Sequence, residues 1–365
     1  MDLLSFLWTN GVAFVFILTV VVFIHEMGHY LIARRNGVRV EVFSIGFGPE
    51  LFGWQDRAGT RWKVSVLPLG GYVKMFGEHS GAGAGDRPMT PEEEAVSFPA
   101  KSLGQRAAIV VSGPLANFVL AIVLLAGLFT FVGQPFTAPI VGVVEEESAA
   151  EAGGLQPGDR VLVINGHRIE RFEDIQHIVQ VGLGEPLTIV VERDGREVTL
   201  FATPKVIEHT DRFGNTYEIG RLGIRSGGVN YVRHDPLSAV WHATEAAVNF
   251  AGMTLKGLAQ MIAGTRSADD LRGPIGILQL SGQVAQMGLV PVIQFMAWLS
   301  LALGLINLFP IPVLDGGHLL FYAVEAVLGR PLGARAQEYG LRIGLALVLT
   351  LIVFVTWNDL VRLLS

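Results

Sequence analysis

The stretch GVAFVFILTVVVFIHEMGH, residues 11–29, decides how the rest of this chain is read. Residues 11–24 carry no charge and run straight into His25-Glu26-Met27-Gly28-His29. At about 1.5 Å of rise per residue, His25 lies roughly 21 Å along a helix from Gly11, within the thickness of a hydrocarbon core of about 30 Å. Two histidines four residues apart project from one helix face and can grip one zinc ion, with Glu26 beside it as general base. Ionisable groups at such depth are costly and mark function. The opening stretch therefore reads as a membrane span that carries chemistry.

Working outward, the composition agrees. The 365 residues are 50% hydrophobic and 16% charged, with a mean hydropathy of +0.46. That charge is far below the globular average of about 25%, and disorder would show the opposite bias. The net charge of −6 gives no basic field for nucleic acid, which is excluded as a partner. No cysteine is present, so thiolate zinc sites and cysteine nucleophiles are excluded, and a metal site must use His, Asp or Glu.

The chain divides into residues 1–35, a first transmembrane helix with the HExxH motif; 36–104, a β-hairpin region with a flexible loop at 80–86; and 105–133, a second transmembrane helix. A PDZ-like domain follows at 138–204, then strands and an amphipathic helix at 205–287. Residues 288–310 form a third transmembrane helix, 311–336 a Leu-Asp-Gly motif and short helix, and 337–361 a fourth transmembrane helix. The fold class is thus a polytopic α-helical membrane protein with a membrane-associated β-hairpin and an inserted β-rich domain. Arg34, Arg35 and Arg39 follow the first span, Lys101 and Arg106 precede the second, and Arg330 and Arg335 separate the last two. This basic bias puts those loops in the cytoplasm, with both termini and the inserted domain outside.

Within that insert, Ser148 caps a short helix, and Asn165-Gly166 and Asp194-Gly195 are hairpin turns between alternating strands. The segment AAEAGGLQPGDRVLVINGHRIERFEDI resembles a bacterial PDZ domain. Such a domain accepts an extended peptide, here a peptide C-terminus, along a sheet edge.

A hydrolytic zinc site takes three protein ligands. Asp315, in NLFPIPVLDGGH (residues 307–318), is the candidate third, on the same membrane side as His29; His318 is the weaker rival. Pro310 and Pro312 break the helix, and Gly316-Gly317 lets the backbone bend so that the carboxylate points inward.

HEMGH, GPLANF (residues 113–118), the PDZ-like insert and NLFPIPVLDGGH together resemble the site-2 protease family of intramembrane zinc metalloproteases, in its bacterial regulator-of-sigma-E branch with a single PDZ domain. The resemblance implies Zn2+ held by His25, His29 and Asp315, with Glu26 as catalytic base. It implies that Asn307 holds the substrate or stabilises the transition state, and that Gly113, Pro114 and Asn117 form a break in the second span. As polar groups, Asn117 and Asn307 are also natural partners for a substrate's exposed backbone, or for helix–helix hydrogen bonds. The strands around 67–75, with Gly70 and Gly71, would present substrate as an added strand. It further implies an enzyme of the bacterial inner membrane, its active site opening towards the cytoplasm. Its substrates would be single-pass membrane proteins cut within or near the span, such as an anti-sigma factor or a remnant signal peptide. Two other classes remain open from the residues alone. One is an inactive PDZ-bearing scaffold. The other is a metal transporter, which would pair broken helices from repeated halves.

Overall fold

The computed structural model describes residues 3–78, 89–181, 184–210, 216–264 and 271–364. The expected flexible loop at 80–86 lies outside the described residues. The chain forms two compact units, one made of residues 1–128 and 237–365, the other of 129–236.

In the first unit, α1 (Leu3–Arg35), α3 (Leu103–Phe131), α8 (Leu289–Asn307) and α10 (Ala334–Leu364) are the long apolar helices. Their stretches at Asn10–Arg35, Leu103–Phe131, Leu289–Asn307 and Arg335–Val361 are each long and apolar enough to cross a membrane. Ile17, Val21 and Met296 make a buried contact of α1 with α8, extended by Leu120, Leu124, Leu299 and Leu303. A second cluster joins Ala33 of α1, Ile109 and Val110 of α3, and Val38, Val40, Met75 and Phe98. The second span is not broken at Gly113-Pro114. Helix α3 continues through Pro114, because a proline need only forgo one intrahelical bond when neighbouring groups occupy the freed carbonyls.

Strands β1 (Val40–Gln55) and β2 (Arg61–Met75) form the expected hairpin. It is more folded than a simple ribbon. Phe43 is opposite both Val73 and Trp62, and Ser44 opposite both Tyr72 and Lys63, so β2 flanks β1 on both sides. Residues 71–75 are paired to one neighbour, β1, and reach the helices through Gly71, whose α-carbon a methyl could not decorate without meeting Glu26 Cγ at 3.0 Å. A short α2 (Pro91–Ala95) follows, with Thr90 and Glu93 forming a reciprocal capping box.

One element of this unit escapes the sequence division. Residues 205–287 include α6 (Pro236–Ile262), which is the expected amphipathic helix, but also a separate α7 (Pro274–Met287). Helix α7 lies against α1 so closely that Asn10 occupies the place of a side chain at Gly282. Its N-terminus is capped from α10, since Asp359 accepts from Gly273 N (3.1 Å) and Gly276 N (2.9 Å). Helix α9 (Asp315–Leu328) is the short helix after α8.

The second unit is larger than the 138–204 read from sequence. Strand β3 (Gln134–Thr137) pairs with β12 (Val229–Val232), and β4 (Val141–Val144) pairs with β11 (Ile224–Ser226). Residues beyond 204 therefore complete this unit; Leu222 is buried in its core and Ile224 packs on it. The centre is the sheet β6-β5-β7-β8, where β5 is Arg160–Ile164, β6 His167–Arg168, β7 Leu187–Arg193 and β8 Arg196–Ala202. Leu187, Ile189 and Val191 alternate inward onto Phe172, Ile175 and Val179 of α5 (Phe172–Val181). Asn165 and Asp194 take the left-handed backbone the two hairpin turns require, at φ 48° and 52°. Ser148 caps the four-residue α4 (Ala149–Ala152) through Glu151 N. A further pair, β9 (Lys205–Thr210) and β10 (Thr216–Arg221), completes the strands.

Candidate metal centre

Helical spacing puts His25 and His29 on one face of α1, and both are buried with Glu26. Their Nε2 atoms lie 3.3 Å apart. Asp315 Oδ2, from nearly three hundred residues later, approaches those nitrogens to 3.2 Å and 3.5 Å. These three side chains form the single group of candidate metal-ligating residues among those described. Asp315 Oδ2 is buried yet has no hydrogen-bond partner.

The spacing itself tests whether zinc fits. Two atoms each about 2.1 Å from an ion, at a tetrahedral angle of about 109°, lie about 3.4 Å apart. All three observed edges fall within 0.2 Å of that length. Electron-pair donors brought this close, one of them orphaned, repel one another unless a cation or proton lies between them. A borderline-soft N2O donor set suits zinc. The residues present fit the ion.

The acidic residue is placed by the loop before it. Helix α8 ends at Asn307, ahead of Pro310 and Pro312, and the chain turns back to begin α9 at Asp315. Asp315 is in the first turn, and the cap residue is Leu314, with no side-chain capping bond. Its carboxylate is therefore not spent on the helix end. Gly316 and Gly317 do not make a bend as the sequence reading holds; they are helical. They permit close approach, since a methyl at Gly316 would fall 2.3 Å from the carbonyl oxygens of Leu308 and Phe309.

The imidazoles are held from behind by α3. His29 Nδ1 donates to the Ile109 carbonyl at 2.9 Å, which turns its Nε2 towards Asp315 and His25. His25 Nδ1 lies 3.2 Å from Asn117 Nδ2. Helices α1 and α3 come close enough for this because a methyl on Gly28 would strike the Ser112 carbonyl at 2.3 Å, and one on Gly113 would strike His29 Nε2 at 2.2 Å. On its other side α3 meets α8. Ser300 Oγ donates to the Asn117 carbonyl (2.9 Å), and Gly304 leaves room for Pro114 and Asn117.

The triad opens on a cleft of about 440 Å³ lined by Glu26, Gly70, Gly71, Asn307 and His318, with Glu78 and Tyr322 further along. Glu26, Asn307, Gly70 and Gly71 are thus brought together as read from the sequence. Asn117 is not: it is fully buried behind His25 and does not line the cleft, so its neighbour is an imidazole and not a substrate. A residue at that point of α3 shares its face with Gly113, four positions back, which already abuts His29. His318 lines the cleft without joining the triad. Burial holds its imidazole below the ordinary range, so it faces the cleft neutral at pH 7. Burial likewise pushes the Tyr322 hydroxyl up to about 12, against the pull of Arg106, so it remains a donor.

The sequence reading missed the Ile109 carbonyl, Ser300 and Glu78. Backbone carbonyls leave no trace in a sequence. Ser300 and Gly304, by contrast, form a small-xxx-small pair within an apolar helix, which is a readable sign of close helix packing.

Comparison with known proteins agrees with this geometry. The sequence profile described as peptidase family M50 matches residues 13–351. A protein of Agrobacterium fabrum, provisionally named a zinc metalloprotease, is 45% identical over 99% of this chain and 98% of its own length. Metalloprotease MmpA of Caulobacter vibrioides is 40% identical over 96% of this chain and 95% of its own. A solved PDZ domain of an SdrC-like protein from Listeria monocytogenes covers 25% of this chain and 88% of that one, at 16% identity and a TM-score of 0.20, too slight a likeness to argue from. A buried two-histidine, one-carboxylate group beside a glutamate is the donor set of a hydrolytic zinc site. The chain belongs to peptidase family M50, the site-2 protease family of zinc metalloproteases.

Proposed function

We propose that this enzyme hydrolyses a peptide bond within or near the transmembrane segment of single-pass membrane proteins. The observation that carries the proposal is the convergence of His25, His29 and Asp315 deep in α1 and at the head of α9, on a cleft that also holds Glu26. His25, His29 and Asp315 would hold the zinc ion. When bound, zinc polarises the scissile carbonyl and makes water a nucleophile near neutral pH.

Glu26 takes the proton from the attacking water as the C–O bond forms, and returns it to the leaving amine as the C–N bond then breaks. Asn307 donates its amide N–H to the oxygen that gains charge. A helical substrate hides its carbonyls in hydrogen bonds, so it must unwind at the cut. Residues 71–75 have β1 on one side and would take the unwound segment on the other, satisfying groups that hydrocarbon cannot. His318 and Tyr322 of α9 line the same cleft as further donors.

The family and the basic loop bias support an inner-membrane enzyme with the centre opening towards the cytoplasm. The 129–236 unit would stand outside as a PDZ-like module that binds a freshly exposed peptide C-terminus or restricts access. Anti-sigma factors and remnant signal peptides are the substrate types this arrangement suits. An inactive scaffold has no observation in its favour, since it needs neither matched donor spacing nor Glu26.

The test is cleavage of a single-span substrate by purified protein in liposomes. Glu26→Gln should retain zinc and fold while cleavage falls by about 10²–10⁴-fold, the usual worth of a general base. Undiminished cutting by that variant would remove Glu26 from the mechanism.

A further inference from the structure

We propose that Asn117 positions His25 for zinc by accepting a hydrogen bond from its Nδ1–H through the side-chain oxygen. The inference rests on the zinc site proposed above. To ligate through Nε2, which is the atom facing His29 and Asp315, a neutral imidazole must carry its one proton on Nδ1. That N–H is buried and needs an acceptor. The group within reach is the Asn117 carboxamide, 3.2 Å away.

The carboxamide has one acceptor and one donor end of nearly equal size, and hydrogen-bond partners decide which end faces a neighbour. Asn117 Oδ1 is buried without a partner, so nothing retains it on the side away from the ring. A half-turn about Cβ–Cγ brings the oxygen to Nδ1–H with no repacking. The root of the side chain is fixed meanwhile, by Ser300 on the Asn117 carbonyl and by Gly304, where a methyl would stand 3.2 Å from Asn117 Cβ. His29 already shows the same arrangement, its Nδ1–H bonded to the Ile109 carbonyl of the same helix. Both zinc imidazoles are then oriented by acceptors on α3, one a backbone group and one a side chain.

The experiment compares the full-length protein in detergent with Asn117→Asp, Asn117→Leu and His25→Ala. Zinc affinity is read against a chromophoric chelator, and the imidazole tautomer by nitrogen-15 NMR of the zinc-loaded wild type. Asn117→Leu should bind zinc about 10–100-fold more weakly, the usual effect of losing a group that orients a ligand. Asn117→Asp, which offers only acceptors, should bind at least as tightly as wild type, and His25 should carry its proton on Nδ1. Zinc binding unchanged in Asn117→Leu, or weakened equally in Asn117→Asp, would overturn the proposal, because an amide that donates is lost in both. A proton on His25 Nε2 would overturn it even if Asn117→Leu failed to fold. Failure of the zinc site itself looks different: His25→Ala would then bind zinc as tightly as wild type.

Discussion

Gly113 shows how little room the centre leaves. The α-carbon of Gly113 faces His29 so directly that a methyl there would stand 2.2 Å from the ligating nitrogen. Gly113→Ala should therefore displace the ring or occupy its coordination space. We expect a loss of zinc affinity of at least about tenfold, of the kind that disturbed ligand orientation produces, with the helices intact by circular dichroism. Wild-type affinity in that variant would mean that α1 and α3 can separate without harm. The sequence displayed this pair of features only halfway. HEMGH announces two ligands and a base because the spacing of a helix is fixed. Gly113 announces nothing until the partner helix is known, and Asn117 looks like any polar residue in an apolar helix.

The elements around the centre form a brace. Arg106, in the first turn of α3, reaches Glu325 of α9 at 2.6 Å, both largely buried, and its guanidinium lies 4.9 Å from the Tyr322 ring centre. This pair holds the helix that begins with Asp315 against the helix that backs both histidines. Removing one partner of a shielded pair leaves the other charge uncompensated, at a cost of about 3–5 kcal/mol when fully buried and less here, where each side chain is 16% exposed. Glu325→Ala should lower cleavage by about tenfold or more, since small misplacements of catalytic groups are expensive, while Glu325→Gln, which keeps an acceptor, should lose less. Equal activity in all three proteins would show that α9 is held by its packing alone. At this scale the sequence was legible wherever a signal is local. The long apolar helices and the turns at Asn165 and Asp194 follow from periodicity and turn chemistry. Helix α7 was not separable from its surroundings, because its apolar face answers to Asn10 and its cap comes from Asp359, both far away in the chain.

For the molecule as a whole, the two units invite separate measurement. In the 129–236 unit, Asp159 is buried in the sheet's margin, where burial alone would raise its carboxyl. Two bonds from Arg193, at 2.7 Å each, and one from Gln156 N outweigh that and hold it below the ordinary value. A carboxyl lowered by folding lends stability that is full above its unfolded pKa of about 3.9 and is lost as pH falls through the folded value. Arg193→Met should destabilise this unit by roughly 2 kcal/mol at pH 7, within the range for hydrogen bonds to charged groups. The gap between variant and wild-type melting should narrow below about pH 4. A gap independent of pH would assign the loss to packing. Strand partners also decide how the unit can be removed. Excision of residues 134–232 should leave a protein that still binds zinc. Excision of 138–204 removes β4, leaving β11 without its partner and Leu222 without its core, and should aggregate. Similar yields of soluble, zinc-loaded protein from both deletions would contradict the pairing. The sequence placed this module's end too early, since a strand that closes a sheet from eighty residues away carries no local mark of its destination.

The pairing of Gln134 with Val232 has a broader meaning. Because the first and last strands of the 129–236 unit pair with each other, its two chain ends leave it together at one hydrogen-bonded seam. Such a seam is where evolution can swap, duplicate or delete a cargo without re-engineering the scaffold on either side, and where an engineer could splice in a fluorescent reporter or a foreign recognition domain.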